Sequence, residues 1–194
     1  MNKKVTNSLK ESALFIKHAF KSPKEVAYLF PSSPWLIRAV AKNANLGEAM
    51  RAIELGPGIG GTTKGLLKEM HPDAHLITVE INQKFAQHIE KSIVDPRLTV
   101  SAEGAQNLAD ILAQQGWENV DVVISGIPFS TLPDGMDKAI MAAVHAALKP
   151  GGMFLAYQFR DHVSKVANPF FGDPQINKTE YKNLPPMRIY TWLK

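Results

Sequence analysis

The chain has 194 residues, 45% hydrophobic and 21% charged, with a formal net charge of +4 and a pI near 9.2. That length supports one good core, and with no cysteine present disulfides, thiolate metal ligands and a cysteine nucleophile are excluded. No run reaches the roughly 20 apolar residues of a spanning helix, and no signal-peptide core follows the basic start, so a cytoplasmic protein is expected.

In chain order, Lys3, Lys4, Lys10, Lys17, Lys21 and Lys24 crowd the N-terminal segment against Glu11. Ser8-x-x-Glu11 has the form of a capping box, and Leu9, Ala13, Ile16 and Phe20 recur at helical spacing. The spacing predicts an amphipathic helix over 9–20, bordered by lysines and ended by Ser22-Pro23. This composition suits a helix lying on an anionic membrane surface, although packing on the domain's own core makes the same pattern. After Phe30-Pro31-Ser32-Ser33-Pro34 a second helix is predicted over 35–43. The reading divides the chain into an N-terminal helical segment, 1–45, and a main domain, 46–194, forming one structural unit.

Strands at 51–55, 75–80, 98–102 and 120–125 then alternate with helices at 62–70, 83–93, 105–115 and 136–148, and Pro150-Gly151-Gly152 leads into a strand over 153–159. Such alternation argues for an α/β fold with a parallel sheet covered on both faces. Residues 160–186 read as loop, and a strand over 187–193 closes the chain. In open parallel sheets, ligands bind at the carboxyl ends of the strands. Four candidate stations fall at such ends.

The first is Glu54-Leu55-Gly56-Pro57-Gly58-Ile59-Gly60-Gly61, where glycines let a ligand approach the main chain. Gly56-x-Gly58-x-x-Gly61 satisfies dinucleotide spacing, a weak signal alone. The acid-x-Gly-x-Gly-x-Gly pattern suits S-adenosylmethionine better, because Glu54 complements an ammonium and a sulfonium but would repel a pyrophosphate. At the second station Glu80, followed by Ile81, can accept from both hydroxyls of a ribose. At the third, Glu103-Gly104-Ala105 is the expected adenine contact. The fourth, Ser125-Gly126-Ile127-Pro128-Phe129, offers carbonyls to a substrate amine and an aromatic ring to a methylammonium centre. An alkyl amine must lose a proton before it attacks, and Tyr28, His18, Tyr157 and His162 are candidate acceptors. No grouping of histidines and carboxylates has metal-site spacing.

Phe30-Pro31-Ser32-Ser33, the Glu54 to Gly60 turn with Thr63, Ser125-Gly126-Ile127-Pro128-Phe129, and Leu148-Lys149-Pro150-Gly151-Gly152 with Gln158-Phe159 together resemble the bacterial phospholipid N-methyltransferases. The resemblance covers nearly the whole chain. It implies a class I, Rossmann-like methyltransferase fold: a mostly parallel seven-stranded sheet with helices on both faces and a C-terminal antiparallel strand, preceded by N-terminal helices. It further implies S-adenosylmethionine as cofactor and S-adenosylhomocysteine as product. Methylation of phosphatidylethanolamine toward phosphatidylcholine is then expected at the inner membrane face, with Ser33, Gly56, Pro57, Gly58, Gly60, Thr63 and Ser125 about the cofactor and Tyr28 near the chemistry. In this chain Gly104 stands where the family has an acid. The family is also similar to ribosomal RNA adenine dimethylases, which carry Asn-x-Pro-Tyr/Phe at the fourth strand, so RNA methylation is one alternative. An ornithine lipid acceptor and a non-enzymatic, membrane-docking cofactor binder are others. Oligomeric state is left open.

Overall fold

The computed structural model describes residues 32–194. The helix expected over 9–20, with His18 and Tyr28, lies outside them. Helix α1 (Pro34–Asn43) starts where Pro34 meets a Ser33 N-cap whose side chain accepts from the Leu36 N–H. Strand β1 (Arg51–Leu55) and helix α2 (Gly61–Glu69) follow, then β2 (His75–Val79), α3 (Gln83–Ser92) and β3 (Leu98–Ser101). Helix α4 (Leu108–Gln114) comes after a short 3-10 turn, Ala105–Asn107, and leads to β4 (Val120–Ser125). The helix expected over 105–115 is thus split in two. The last elements are α5 (Met136–Ala147), β5 (Leu148–Gln158), α6 (His162–Phe171), β6 (Ile176–Glu180) and β7 (Met187–Leu193).

The seven strands form one sheet in the order β3-β2-β1-β4-β5-β7-β6. The first five are mutually parallel, while β7 runs antiparallel to β5 and β6 antiparallel to β7. In the centre, β1 and β2 are each buried at four of five positions, as expected of strands covered on both faces. One face carries a core to which α1 and α2 contribute Leu36, Val40, Leu66 and Leu67. The other carries Ile111, Met141, Val144, Val163 and Val166 from α4, α5 and α6. Gly65 lets α1 approach α2, since a Cβ there would meet the Ile37 side chain at 2.5 Å.

The expected strands, parallel sheet and closing antiparallel strand are present. The region 160–186 is not loop throughout, as expected, but contains α6 and β6. Pro169 sits inside α6 without preventing it, because Val163, Val166 and Ala167 bury a helical stripe against the core. Phe171 stacks on Phe154, which stacks on Trp192. The sequence Ile-Asn-Lys-Thr-Glu of β6 has no apolar alternation; its strand character comes from pairing with β7 at the sheet edge. Strand β5 also begins earlier than expected, at Leu148, with a register irregularity opposite Val120 and Val122 that absorbs Pro150-Gly151-Gly152.

Candidate active site

Main-chain hydrogen bonds continue one residue past the strands and lace their ends together. Gly126 N–H donates to Leu55 O (2.9 Å), Gly56 N–H to Val79 O (3.0 Å) and Glu80 N–H to Ser101 O (3.0 Å). The stations anticipated at β3, β2, β1 and β4 therefore stand in one row along one edge.

Gly56, Gly58 and Gly60 take φ of 70°, 61° and 84°, a region strained for side chains. What a Cβ would meet differs at each. At Gly56 it would press on the Ile127 side chain at 2.9 Å, and at Gly60 on Ile89 at 3.0 Å, whereas at Gly58 it would meet nothing within 4 Å. The outer two glycines let the turn pack against β4 and α3; Gly58 borders open space. Pro57 O accepts from the Gly60 N–H (3.1 Å) and closes the turn.

Glu80 Oε2 accepts from the Gly58 N–H (3.0 Å) and Oε1 from the Asn82 N–H (2.9 Å). Each oxygen keeps a further lone pair, the arrangement a vicinal diol requires. Burial raises the Glu80 carboxyl above its usual range, opposed by those two backbone donors. Glu54 lies fully buried beneath the turn. Its Oε2 accepts from Thr63 Oγ1 (2.6 Å) and Thr78 Oγ1 (2.9 Å), while Oε1 has no partner among the described residues. Desolvation pushes this carboxyl up to about 7, with the two threonine bonds lowering it and the Glu80 charge adding to the rise. An unpaired, desolvated carboxyl oxygen at the end of β1, below the glycine turn, fits compensation of a cationic ligand such as the methionine end of S-adenosylmethionine.

At the fourth station, Ser125 Oγ accepts from the Ile127 N–H (3.2 Å), Ile127 O from Gln158 Nε2 (2.8 Å), and Pro128 O from both the N–H and the hydroxyl of Thr131 (2.9 Å each). Gly126 O accepts from none of the described residues. Phe129 is 1% exposed, so its ring is packed into the core rather than open to a substrate. The Tyr157 hydroxyl stands 2.5 Å from where a Cβ on residue 126 would be. Burial and the Glu54 charge push the Tyr157 phenol above its usual value, so it stays protonated in the neutral range. His162 pairs with Asp137 (3.4 Å) at the start of α6.

Other anticipated residues have structural partners. Ser33 caps α1, and its N–H donates to Asn183 Oδ1 (2.9 Å). Glu103 accepts from Gln114 (3.2 Å), and Gly104 and Ala105 are buried beside it, with Ile81 half-buried after β2. Sequence reading passed over Thr78 and Gln106. The register that sets Thr78 opposite Glu54 is the signal for the first; Gln106 stands two residues after the unexpected Gly104. Among the described residues no group of histidines and carboxylates could hold a metal ion.

A sheet of this order, closed by an antiparallel strand, with a glycine turn after β1 and an acid after β2, defines a class I S-adenosylmethionine-dependent methyltransferase. The fold matches N-methyltransferase NodS from Bradyrhizobium japonicum WM9 in complex with S-adenosyl-L-homocysteine, at TM-score 0.67 and 10% identity over 95% of this chain and 98% of that one. A methyltransferase domain model matches residues 52–152, and an ornithine lipid N-methyltransferase from Singulisphaera acidiphila is 32% identical over 94% of this chain and 95% of its own. The chain belongs to this methyltransferase family and is an S-adenosylmethionine-dependent N-methyltransferase. Ribosomal RNA small subunit methyltransferase A from Lysinibacillus sphaericus is 25% identical over 66% of this chain and 44% of its own.

Proposed function

We propose that the enzyme methylates the amine of a membrane lipid head group, with ornithine lipid and phosphatidylethanolamine as acceptors. The observation that carries this reading is a set of exposed apolar side chains on elements at the strand edge that holds the site. Trp35 at the start of α1, Ile59 in the glycine turn, Phe159 after β5, and Tyr181 and Leu184 in the β6–β7 turn are all exposed, Leu184 at 87% and Tyr181 at 78%. Gln158 pairs with Arg188 and Glu180 with Met187, which brings the β6–β7 turn to the edge where the parallel strands end. The Asn183 to Ser33 bond ties that turn to α1 beside Trp35. Large exposed apolar side chains on several elements at the edge that holds a polar site suit an enzyme that meets its acceptor at an interface. The similarity to an ornithine lipid N-methyltransferase supports the same acceptor class.

In this reading the Gly56 to Gly60 turn and Thr63 hold the methionine portion, Glu54 compensates its ammonium, and Glu80 takes the ribose, with Ile81 and the Glu103 to Ala105 turn about the adenine. Bound there, S-adenosylmethionine supplies an activated methyl group on a sulfonium. The segment from Ser125 to Phe129 positions the acceptor, with Gly126 O taking an N–H of the amine and aiming its lone pair, a contribution of proximity and orientation. Tyr157, its phenol protonated, does not take the amine's proton and offers a hydrogen bond only. RNA fits less well, because the space a side chain at position 126 would need is filled by the Tyr157 hydroxyl. No helix among the described residues is long and apolar enough to cross a membrane; attachment is peripheral, through these apolar side chains and the lysine-bordered segment, where each basic residue near an anionic surface adds about 1 kcal/mol. Incubating the enzyme with labelled S-adenosylmethionine and ornithine lipid, phosphatidylethanolamine or RNA tests the reading. Label in either lipid is expected; label in RNA alone overturns it.

A further inference from the structure

We propose that the side-chain amide of Gln106 reads the adenine of the cofactor, in the place of an acid at position 104. The sheet order sets the direction of the ligand. Glu54 and the glycine turn lie at β1, Glu80 at β2, and the next strand outward, away from the acceptor turn at β4, is β3. A nucleoside whose ribose meets Glu80 extends its base toward the turn after β3. That turn presents Glu103, whose carboxylate is engaged by Gln114 (3.2 Å), and Gly104, which has no side chain.

Gly104 has φ of −80° and ψ of 144°, extended backbone that any residue adopts, so glycine is not required there by conformation. Space is the constraint. A Cβ at position 104 would fall 2.7 Å from the amide carbon of Gln106 and closer still to its Nε2 and Oε1. With bonds of about 1.52 and 1.23 Å at a trigonal angle, the oxygens of an aspartate lie about 2.4 Å from their own Cβ. The Gln106 amide therefore puts its two polar atoms at the radius at which a carboxylate on residue 104 would put its own. Neither atom has a hydrogen-bond partner among the described residues, and the side chain is half-buried.

An amide offers what the Watson–Crick edge of adenine needs: Oε1 accepts from the exocyclic amine, and Nε2 donates to N1 beside it. A carboxylate in the same place could only accept. Gln106 thus supplies two complementary contacts from the residue that occludes position 104.

Calorimetry tests this without turnover or any acceptor, so its outcome is independent of the lipid proposal. The probes are S-adenosylhomocysteine, its analogue lacking the 6-amino group, and its 1-deaza analogue. The wild type is expected to bind each analogue about five- to tenfold more weakly, one neutral hydrogen bond each. Gln106→Ala is expected to bind all three alike, and Gly104→Asp added to it restores the preference for the amino group. Should Gln106→Ala fail to fold, the nearly isosteric Gln106→Glu is expected to keep the amino preference while losing discrimination against the 1-deaza ligand. Wild-type discrimination persisting in Gln106→Ala, or Gln106→Glu still distinguishing the 1-deaza ligand as the wild type does, overturns the proposal.

Discussion

On the β1–β2 side of the strand edge, Glu54, Gly58, Thr63, Thr78 and Glu80 come from a single βαβ unit and are joined by short-range hydrogen bonds. On the β4–β5 side, Gly126 meets Tyr157, Ile127 meets Gln158, and Ser33 is held by Asn183, 150 residues away in the chain. The first region is a local unit, built from β1, α2 and β2, that we propose holds the cofactor. The second joins segments far apart in the chain: the end of β4 meets β5, and α1 is tied to the β6–β7 turn. Cofactor binding and acceptor access should therefore respond separately to substitution.

The largest effect is expected at Gly58. Gly58→Val fills the open space at a left-handed position, and S-adenosylhomocysteine affinity should fall more than a hundredfold by calorimetry. The strain of that backbone costs only about 1–2 kcal/mol, so the melting temperature should drop by about 2–8 °C. A folded variant with undiminished affinity would remove the glycine turn from the cofactor site.

Next comes Glu54. Its carboxyl titrates near 7 in the folded protein against 4.5 ordinarily, so the folded state favours the protonated form. The stability this contributes is full below about pH 4.5 and is lost as pH rises through about 7. Glu54→Gln should consequently be more stable than wild type at pH 8, by at most about 3 kcal/mol in urea unfolding, and nearly equal to it at pH 4. The same variant should bind S-adenosylhomocysteine more weakly, since it lacks the charge proposed to compensate the ammonium. Equal stability at pH 8 would contradict a desolvated Glu54.

The smallest effect is expected on the other side. Because the phenol of Tyr157 stays protonated, Tyr157→Phe should lower kcat/KM by less than about tenfold and leave the shape of its pH profile unchanged. Disappearance of a titration from that profile would show Tyr157 to be the proton acceptor.

The difference between the regions also governs what could be read in advance. Glu54, Gly58 and Glu80 were legible because strand, turn and acid are consecutive, and the alternation of periods revealed the parallel strands. Strand β6 was illegible because Ile176–Glu180 has no pattern of its own; β7 organises it. Pro169 and the neighbouring Asn and Gly residues hid α6, whose apolar stripe outweighs them. The exposed ring expected of Phe129 gave way to core packing that no local pattern signals, and Gln106 became visible only when the fold set it against Gly104.

One measurement tests most directly whether the two sides are separable. A Tyr181→Asp, Leu184→Asp variant alters only exposed side chains of the β6–β7 turn, so calorimetry should show S-adenosylhomocysteine affinity unchanged. Methyl transfer to amine lipid in vesicles should fall at least tenfold, while transfer to a short-chain, dispersed form of that lipid continues at the wild-type rate. Equal loss on vesicles and dispersed lipid, or no loss on vesicles, would contradict exposed apolar side chains that bring the site to a membrane.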